Sequence, residues 1–284
     1  TIGIIINNRG KMTLRNGSRI IYQGTSKYYI NIRERSSMEI FDSEVTGAGL
    51  NSNEQFLNGI YANGATIDVN NSFISRGQIG IISNNSQVDI NGSDIHDMAS
   101  GGVVLKNSST AKLTQTNLTY CGMLGMDIID SSAILDTVRI DESIKALETL
   151  NGELDIDNCL ISSIDNVCMV VNSSEMDIKD TYFPLPGNDV ITVTYPLGAS
   201  SNVSLLNSTP GKVLVDDPIT NVTSAYRHDI KVLTNGAKPA IGSSVTIRDS
   251  GGITEFTGIT DIRGLILDIP LIRTVYNESG QQLK

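Results

Sequence analysis

Apolar side chains in this chain recur in a fixed frame: apolar, any, apolar, any, any, small, any, apolar. The frame fits Met38-Ile40-Ser43-Val45, Ile67-Val69-Ser72-Ile74, Val88-Ile90-Ser93-Ile95 and Ala111-Leu113-Thr116-Leu118. It continues through Ala133-Leu135-Val138-Ile140, Leu154-Ile156-Cys159-Ile161 and Met176-Ile178-Thr181-Phe183, with looser matches at Met12-Leu14-Gly17 and Val203-Leu205-Ser208. From Ile67 to Met176 successive starts lie 21, 23, 22, 21 and 22 residues apart. A second short apolar strand precedes each frame, as at Gly59-Ile60-Tyr61, Gly80-Ile81-Ile82 and Gly102-Val103-Val104-Leu105. Between the two strands stands an Asn or Asp: Asn63, Asn84, Asn107, Asp130, Asn151 and Asn172.

Alternation with a period of two puts every second side chain on one face, and a single short strand cannot bury that face alone. A unit of roughly 22 residues buries it only by stacking on copies of itself, so equivalent side chains form columns about 4.8 Å apart. The recurrent Asn suits the corner, because Asn tolerates the left-handed conformation and its amide can bond to the Asn one coil away. The Ser72, Ser93, Thr116, Cys159 and Thr181 positions are expected to be small inward residues beside a turn. The predicted fold is all-β: a right-handed parallel β-helix of about nine coils, a rod on the order of 40 Å long.

The repeat resembles that of the pectate-lyase-like superfamily, in particular its carbohydrate-binding and sugar-hydrolysis type. The resemblance covers about residues 10 to 215. It implies a β-helix and a range of roles: polysaccharide lyases and hydrolases, phage tailspikes, adhesins and long surface proteins of microbes.

The coil pattern fades around Asp216-Asp217-Pro218, which sets a domain boundary: 1–218 as β-helix and 226–284 as a second module. Short alternating strands broken by Asn-Gly and Gly-Gly suggest a partial antiparallel β-sandwich there. Thr260-Asp261-x-x-Gly264 resembles the turn of carboxypeptidase-regulatory-like and other prealbumin-like Ig-type modules, whose implied role is spacing and adhesion. With few residues for such a module, it is either continued in a longer protein or completed by a neighbouring subunit.

Composition narrows the function. The net charge of −10 weighs against nucleic acid, which calls for clustered Lys and Arg, and against anionic lipid. No apolar run reaches the roughly 20 residues of a membrane span, and the opening at Thr1 suggests a mature or excised segment. Cys121, Cys159 and Cys168 lack metal-ligand spacing and are expected to be buried thiols. Asn-x-Ser/Thr sequons occur at about twice the chance rate, in part because of the repeat, and suggest a secreted glycoprotein. Asn70, Asn91, Asn117, Asn221 and Asn277 are the glycosylation candidates.

No catalytic set is evident. The resemblance implies, for its hydrolases, an Asn-Thr-Asp-Gly stretch, an Asp pair, a Gly-His and an Arg-x-Lys, and none occurs in a repeat strand; inverting hydrolysis itself needs two spaced carboxylates. The outward position between the first two core residues gives candidate calcium ligands at Asp68 over Asp89 and Asp155 over Asp177, with a wet acidic face as the alternative. His96, followed by Asp97, is expected in a surface loop. Tyr28, Tyr29 and Tyr61 are the tyrosines near a coil surface that could stack on sugar rings.

Three readings follow. The leading one is a non-catalytic extracellular structural or adhesive protein of an S-layer, sheath or filament: a rigid glycosylated rod that self-associates or docks on neighbouring surface subunits, with no cofactor. The second is a polysaccharide lyase or glycoside hydrolase; the third is a glycan-binding tailspike or adhesin.

Overall fold

The fold is described from a computed structural model that covers residues 2–21, 27–165, 167–184, 190–194, 201–216, 221–234, 237–248, 252–277 and 280–283. Apart from one 3-10 turn at Gln55–Leu57, the described elements are all strands. Most lie in three sheets that are parallel through the coils, and as far as Val167–Asn172 every third strand along the chain joins the same sheet. The first sheet holds ten strands, from Ile2–Ile6 to Lys212–Asp216, and the third holds seven. The second opens at Lys11–Leu14. The first seven coils thus give one strand to each sheet, and the coils from Val167–Asn172 onward give one each to the first and second. We number the coils from the first-sheet strand that opens each, beginning with Ile2–Ile6.

Stacking follows the predicted columns. In coil 4, Val88 and Ile90 of Gln87–Asn91 lie in register with Ile67 and Val69 of coil 3 and with Ala111 and Leu113 of coil 5. Ile95 of the third sheet lies between Ile74 and Leu118. All of these side chains are buried, and they belong to one continuous core running from Ile6 to Val222. The all-β parallel β-helix expected from the repeat is the observed fold.

The corners carry two devices. Each turns through a left-handed residue, usually not glycine: Asn71, Gln115, Thr137, Asn158 and Asp180 at the second-to-third corner, for example. Beneath that residue a small side chain points inward and replaces a missing backbone partner. The Ser72 hydroxyl donates to Asn70 O at 2.6 Å and accepts the Ser43 amide at 3.1 Å, while the Ser72 amide donates to Ser93 Oγ at 3.1 Å. The first-to-second corner repeats the device, with Ser86, Ser109 and Ser131 accepting the amides of Ala65, Ser86 and Ser109 at 3.0–3.2 Å. Buried amides need partners, and rows of hydroxyls supply them coil after coil.

The asparagines behave largely as expected, with one correction. Asn84 Nδ2 donates to Asn63 Oδ1 at 3.1 Å, and Asn107 Nδ2 to Asn84 Oδ1 at 2.6 Å. They are not one column, however. Asn63 and Asn84 are in register with each other and with Lys106, not Asn107, because coil 5 carries an extra corner residue. Continuing that register, Asn107 stacks on the left-handed Asn85, in a row that also holds Asp130 and Asn151.

At the C-terminal end the second sheet continues past the expected fading of the repeat. The first half of Asn221–Lys231 pairs in parallel with Asn202–Leu206, as one more coil strand. The same strand then pairs antiparallel with Leu265–Asn277, which pairs with Gly280–Leu283. Ser244–Arg248 and Thr254–Ile259 form a separate antiparallel hairpin. The Thr260-Asp261-x-x-Gly264 stretch is a tight turn: Asp261 Oδ1 accepts the amides of Arg263 and Leu265 at 2.8 and 2.9 Å, and Gly264 has φ +74°. These bonds, that to Leu265 above all, hold the Asp261 carboxyl below the usual carboxylate range.

Candidate functional site

The outward carboxylates expected to face one another do stack. Asp68 is in register with Asp89, and Asp155 with Asp177. Glu39 extends the first row and is neutralised by Lys11 and by Arg15 at 3.4 Å. Partial burial, then Asp89 and Glu39, push the Asp68 carboxyl upward. Among the described residues, no group of three or more His, Cys, Asp or Glu side chains is placed to hold a metal ion. Nor is any described helix long and apolar enough to cross a membrane.

Several sequons turn out to be spelled by the corner. In Asn70-Asn71-Ser72 and Asn91-Gly92-Ser93 the serine is the buried inward hydroxyl, and the middle residue is the left-handed one. Asn91 and Asn117 are exposed and Asn70 is half-buried, whereas the side chains of Asn221 and Asn277 lie outside the described residues.

His96 lies in the strand Asp94–His96, not in a loop, with Nδ1 3.0 Å from Asp97 Oδ2. The cysteines are buried and not in disulfides. Burial pushes the Cys121 and Cys159 thiols up to about 12 and 11. Cys159 stands in the hydroxyl row, accepting the Val138 amide at 3.3 Å. Tyr28 is interior: its hydroxyl donates to the carbonyls of Thr46 and Ile20 at 3.0 and 3.2 Å, so it cannot stack on a ligand. Tyr29 and Tyr61 remain half-buried, and Tyr29 meets Phe56 edge-on at 6.1 Å.

Tyr61 lines an open groove of about 860 Å³ over the first three coils, which the sequence pattern did not reveal. Arg9, Arg33 and Arg35 converge there with Phe56, a set of side-chain amides and one acidic side chain, Glu34. The coil geometry explains the convergence. Ile6 is in register with Ile32, so the residues that follow place Arg9 over Arg35 and Asn7 over Arg33. Arg9 and Arg35 have φ +63° and +59° and occupy the left-handed corner that Asn85 and Asn107 fill further along. Among the described residues these three arginines have no ion-pair partner, whereas Arg15 and Arg19 are taken up by Glu39 and Glu44. Asn31 lines the same groove; it is 7% exposed, and its Oδ1 has no hydrogen-bond partner.

The signal was present in the charges. Residues 1–35 hold seven basic side chains against Glu34 alone, in a chain of net charge −10. The loose repeats and longer insertions of the first coils hide that Arg9 and Arg35 stand at a corner.

A second arrangement lies on the outer face of the first sheet. Asp127 is in register with Glu148 one coil on and with Val104 one coil back. Glu148 is held by Lys145 at 3.2 Å. Burial above all, with Glu148 adding to it, raises the Asp127 carboxyl to about 6. A carboxyl with a raised folded pKa favours the folded state less once it must ionise. The destabilisation is therefore absent at pH 3, grows as pH rises from the unfolded value toward 6, and is complete above it. Asp127→Asn is expected to raise stability by about 1–3 kcal/mol at pH 8 and to leave it unchanged at pH 3, read from denaturant midpoints.

One comparison with protein-family models agrees with the coil architecture. Residues 79–195 match the family model described as the right-handed β-helix region. An alginate lyase from Paenibacillus sp. str. FPU-7 aligns at 9% identity and TM-score 0.35, over 70% of this chain and 98% of the lyase. Tailspike protein 3 of bacteriophage CBA120 aligns at 10% identity and TM-score 0.34, over all of this chain and 64% of the tailspike. QnrB1, a plasmid-mediated fluoroquinolone resistance protein, aligns at 12% identity and TM-score 0.20, over 69% of this chain and 91% of its own. No curated protein sequence matches the chain. The coils of this chain form a right-handed parallel β-helix.

Proposed function

We propose that this protein is a non-catalytic, surface-displayed adhesive rod that binds an acidic polysaccharide in the arginine groove of its first three coils. One observation carries the proposal: Arg9, Arg33 and Arg35, unpaired among the described residues, outnumber Glu34 and meet Tyr61 and Phe56 in one groove of an otherwise acidic chain. Guanidinium forks match carboxylates, aromatic faces suit sugar rings, and Asn side chains match hydroxyls. The solenoid supplies a rigid mount, and N-glycans at the exposed Asn91 and Asn117 belong to the same extracellular setting.

Polygalacturonate titrated into the protein, with neutral dextran as comparison, tests this. We expect binding that weakens with salt and a drop of about tenfold or more in affinity for Arg33→Ala and for Arg35→Ala. Equal affinity for the neutral polymer, or no binding to either, would overturn it.

The Asp127–Glu148 pair favours a second reading, glycoside hydrolysis. In-register carboxylates one coil apart, one raised to about 6 by burial and the other paired with Lys145, resemble the acid and nucleophile of retaining enzymes. Release of reducing ends that Asp127→Asn abolishes would establish it in place of the adhesive reading.

A further inference from the structure

The arginine groove does not end at coil 3. Arg35 also lines a second open furrow, about 610 Å³, that runs along the first-to-second corner past Thr66 and Gln87 to Ser108 and Thr110. Ser108 and Thr110 in turn line a third, about 660 Å³, that continues past Asp130 and Glu153 to Asn202. The three share residues end to end and form one channel parallel to the rod axis.

Its chemistry changes along its length. Arg9 and Arg35 stand at the corner in coils 1 and 2. Coils 3 to 5 present only uncharged groups there: Gly64 and Thr66, Asn85 and Gln87, Ser108 and Thr110. From coil 6 the corner turns acidic, with Asp130, Glu153 and Glu175. Two buried polar atoms without partners lie beside the arginines of coil 2: Asn31 Oδ1 in the first groove and Ser36 Oγ, 3% exposed, in the second.

Resting on the acidic-polysaccharide reading, we infer that the ligand is a linear anionic glycan lying lengthwise in this channel, anchored by Arg9 and Arg35 and stopped where Asp130 begins the acidic stretch. The uncharged stretch from Arg35 to Thr110 crosses three coil steps, about 15 Å. The rod therefore measures its ligand: added sugars gain hydroxyl and amide contacts until their carboxylates meet those of coils 6 to 8. Carboxylates brought that close repel one another, so longer chains gain nothing further.

Size-fractionated oligogalacturonates, with neutral galactose oligomers of matched length, test the inference by titration calorimetry on the whole chain. We expect affinity to rise at least tenfold from the shortest oligomers to those spanning the uncharged stretch, then to level off. In Asp130→Asn/Glu153→Gln the rise should continue to longer oligomers, with a further gain of several-fold. Both substitutions are at exposed sites, and an unchanged thermal midpoint confirms that the fold is kept. Affinity that depends on Arg33 and Arg35 but not on length would overturn the channel and leave the groove standing. So would a length limit that the double variant does not move. No preference for oligogalacturonates at any length would overturn both.

Discussion

Leu113→Ala should cost about 2–5 kcal/mol, the upper range for a truncated core side chain, because its site cannot collapse. Leu113 is fully buried in Thr110–Thr114, with Ile90 in register on one side and Leu135 on the other. A cavity there is bounded by neighbouring coils whose backbones are pinned by hydrogen bonds along both edges, so the walls cannot move in. In a stacked repeat the loss also falls on two interfaces at once. Leu14→Ala is the control: Leu14 is half-buried in the first coil, with a neighbour, Ile40, on one side only. It should cost about 1 kcal/mol or less. Guanidinium unfolding of the two variants measures the difference, and equal midpoints would contradict a core built from stacked columns.

The second large effect is expected at a close approach of backbones. Gly59, Gly80, Gly102 and Gly125 occupy equivalent positions in the first sheet, and Ala146 and Cys168 continue the row. A side chain at Gly102 would put its Cβ 2.5 Å from Gly125 O and 3.0 Å from the Cys121 sulfur. At Gly125 it would meet Ile140 Cγ2 at 2.4 Å and Ala146 O at 2.6 Å. Neither neighbour can yield, since carbonyl and core branch are both fixed by the stack. Gly102→Val should therefore cost about 3 kcal/mol or more, at the high end of overpacking. Ala146→Gly, where the coil already accommodates a methyl group, should cost about 1 kcal/mol. Thermal denaturation of the pair decides it, and a Gly102→Val midpoint close to that of Ala146→Gly would refute the steric argument.

The repeat made the coils legible because inward columns such as Val88, Ala111 and Ala133 obey one rule at one spacing, and burial enforces it at every turn. Corners were less legible. Asn63, Asn84 and Asn107 look equivalent when counted along the chain, but a single added residue in coil 5 moves Asn107 into the adjacent row. The strand frame tolerates such insertions at corners, so residue spacing alone does not fix them. The arginine groove was hidden for a related reason. Arg9 and Arg35 hold a left-handed corner that small or short polar residues such as Gly64, Asn85, Asp130 and Asn151 fill elsewhere, so residue type does not mark them as corner residues. Asp127 lies within a strand that fits the repeat, Leu124–Ile129, but its neighbour Glu148 comes from the next coil and follows only from register. The sequons carry two meanings: Ser72, Ser93 and Ser109 complete Asn-x-Ser triplets and are also structural hydroxyls beneath the turns.

The hydroxyl rows have a mechanical consequence. In most folds the turns are the compliant parts, where amides exchange readily with solvent and proteases find slack chain. Here the amides of Ser43, Ser72, Ala65, Ser86 and Ser109 are tied at the bends to an oxygen in the adjoining layer. Bending the molecule would break a bond at each bend on the stretched side, so it resists flexure as a beam does. A load applied at one end is carried by the whole shaft.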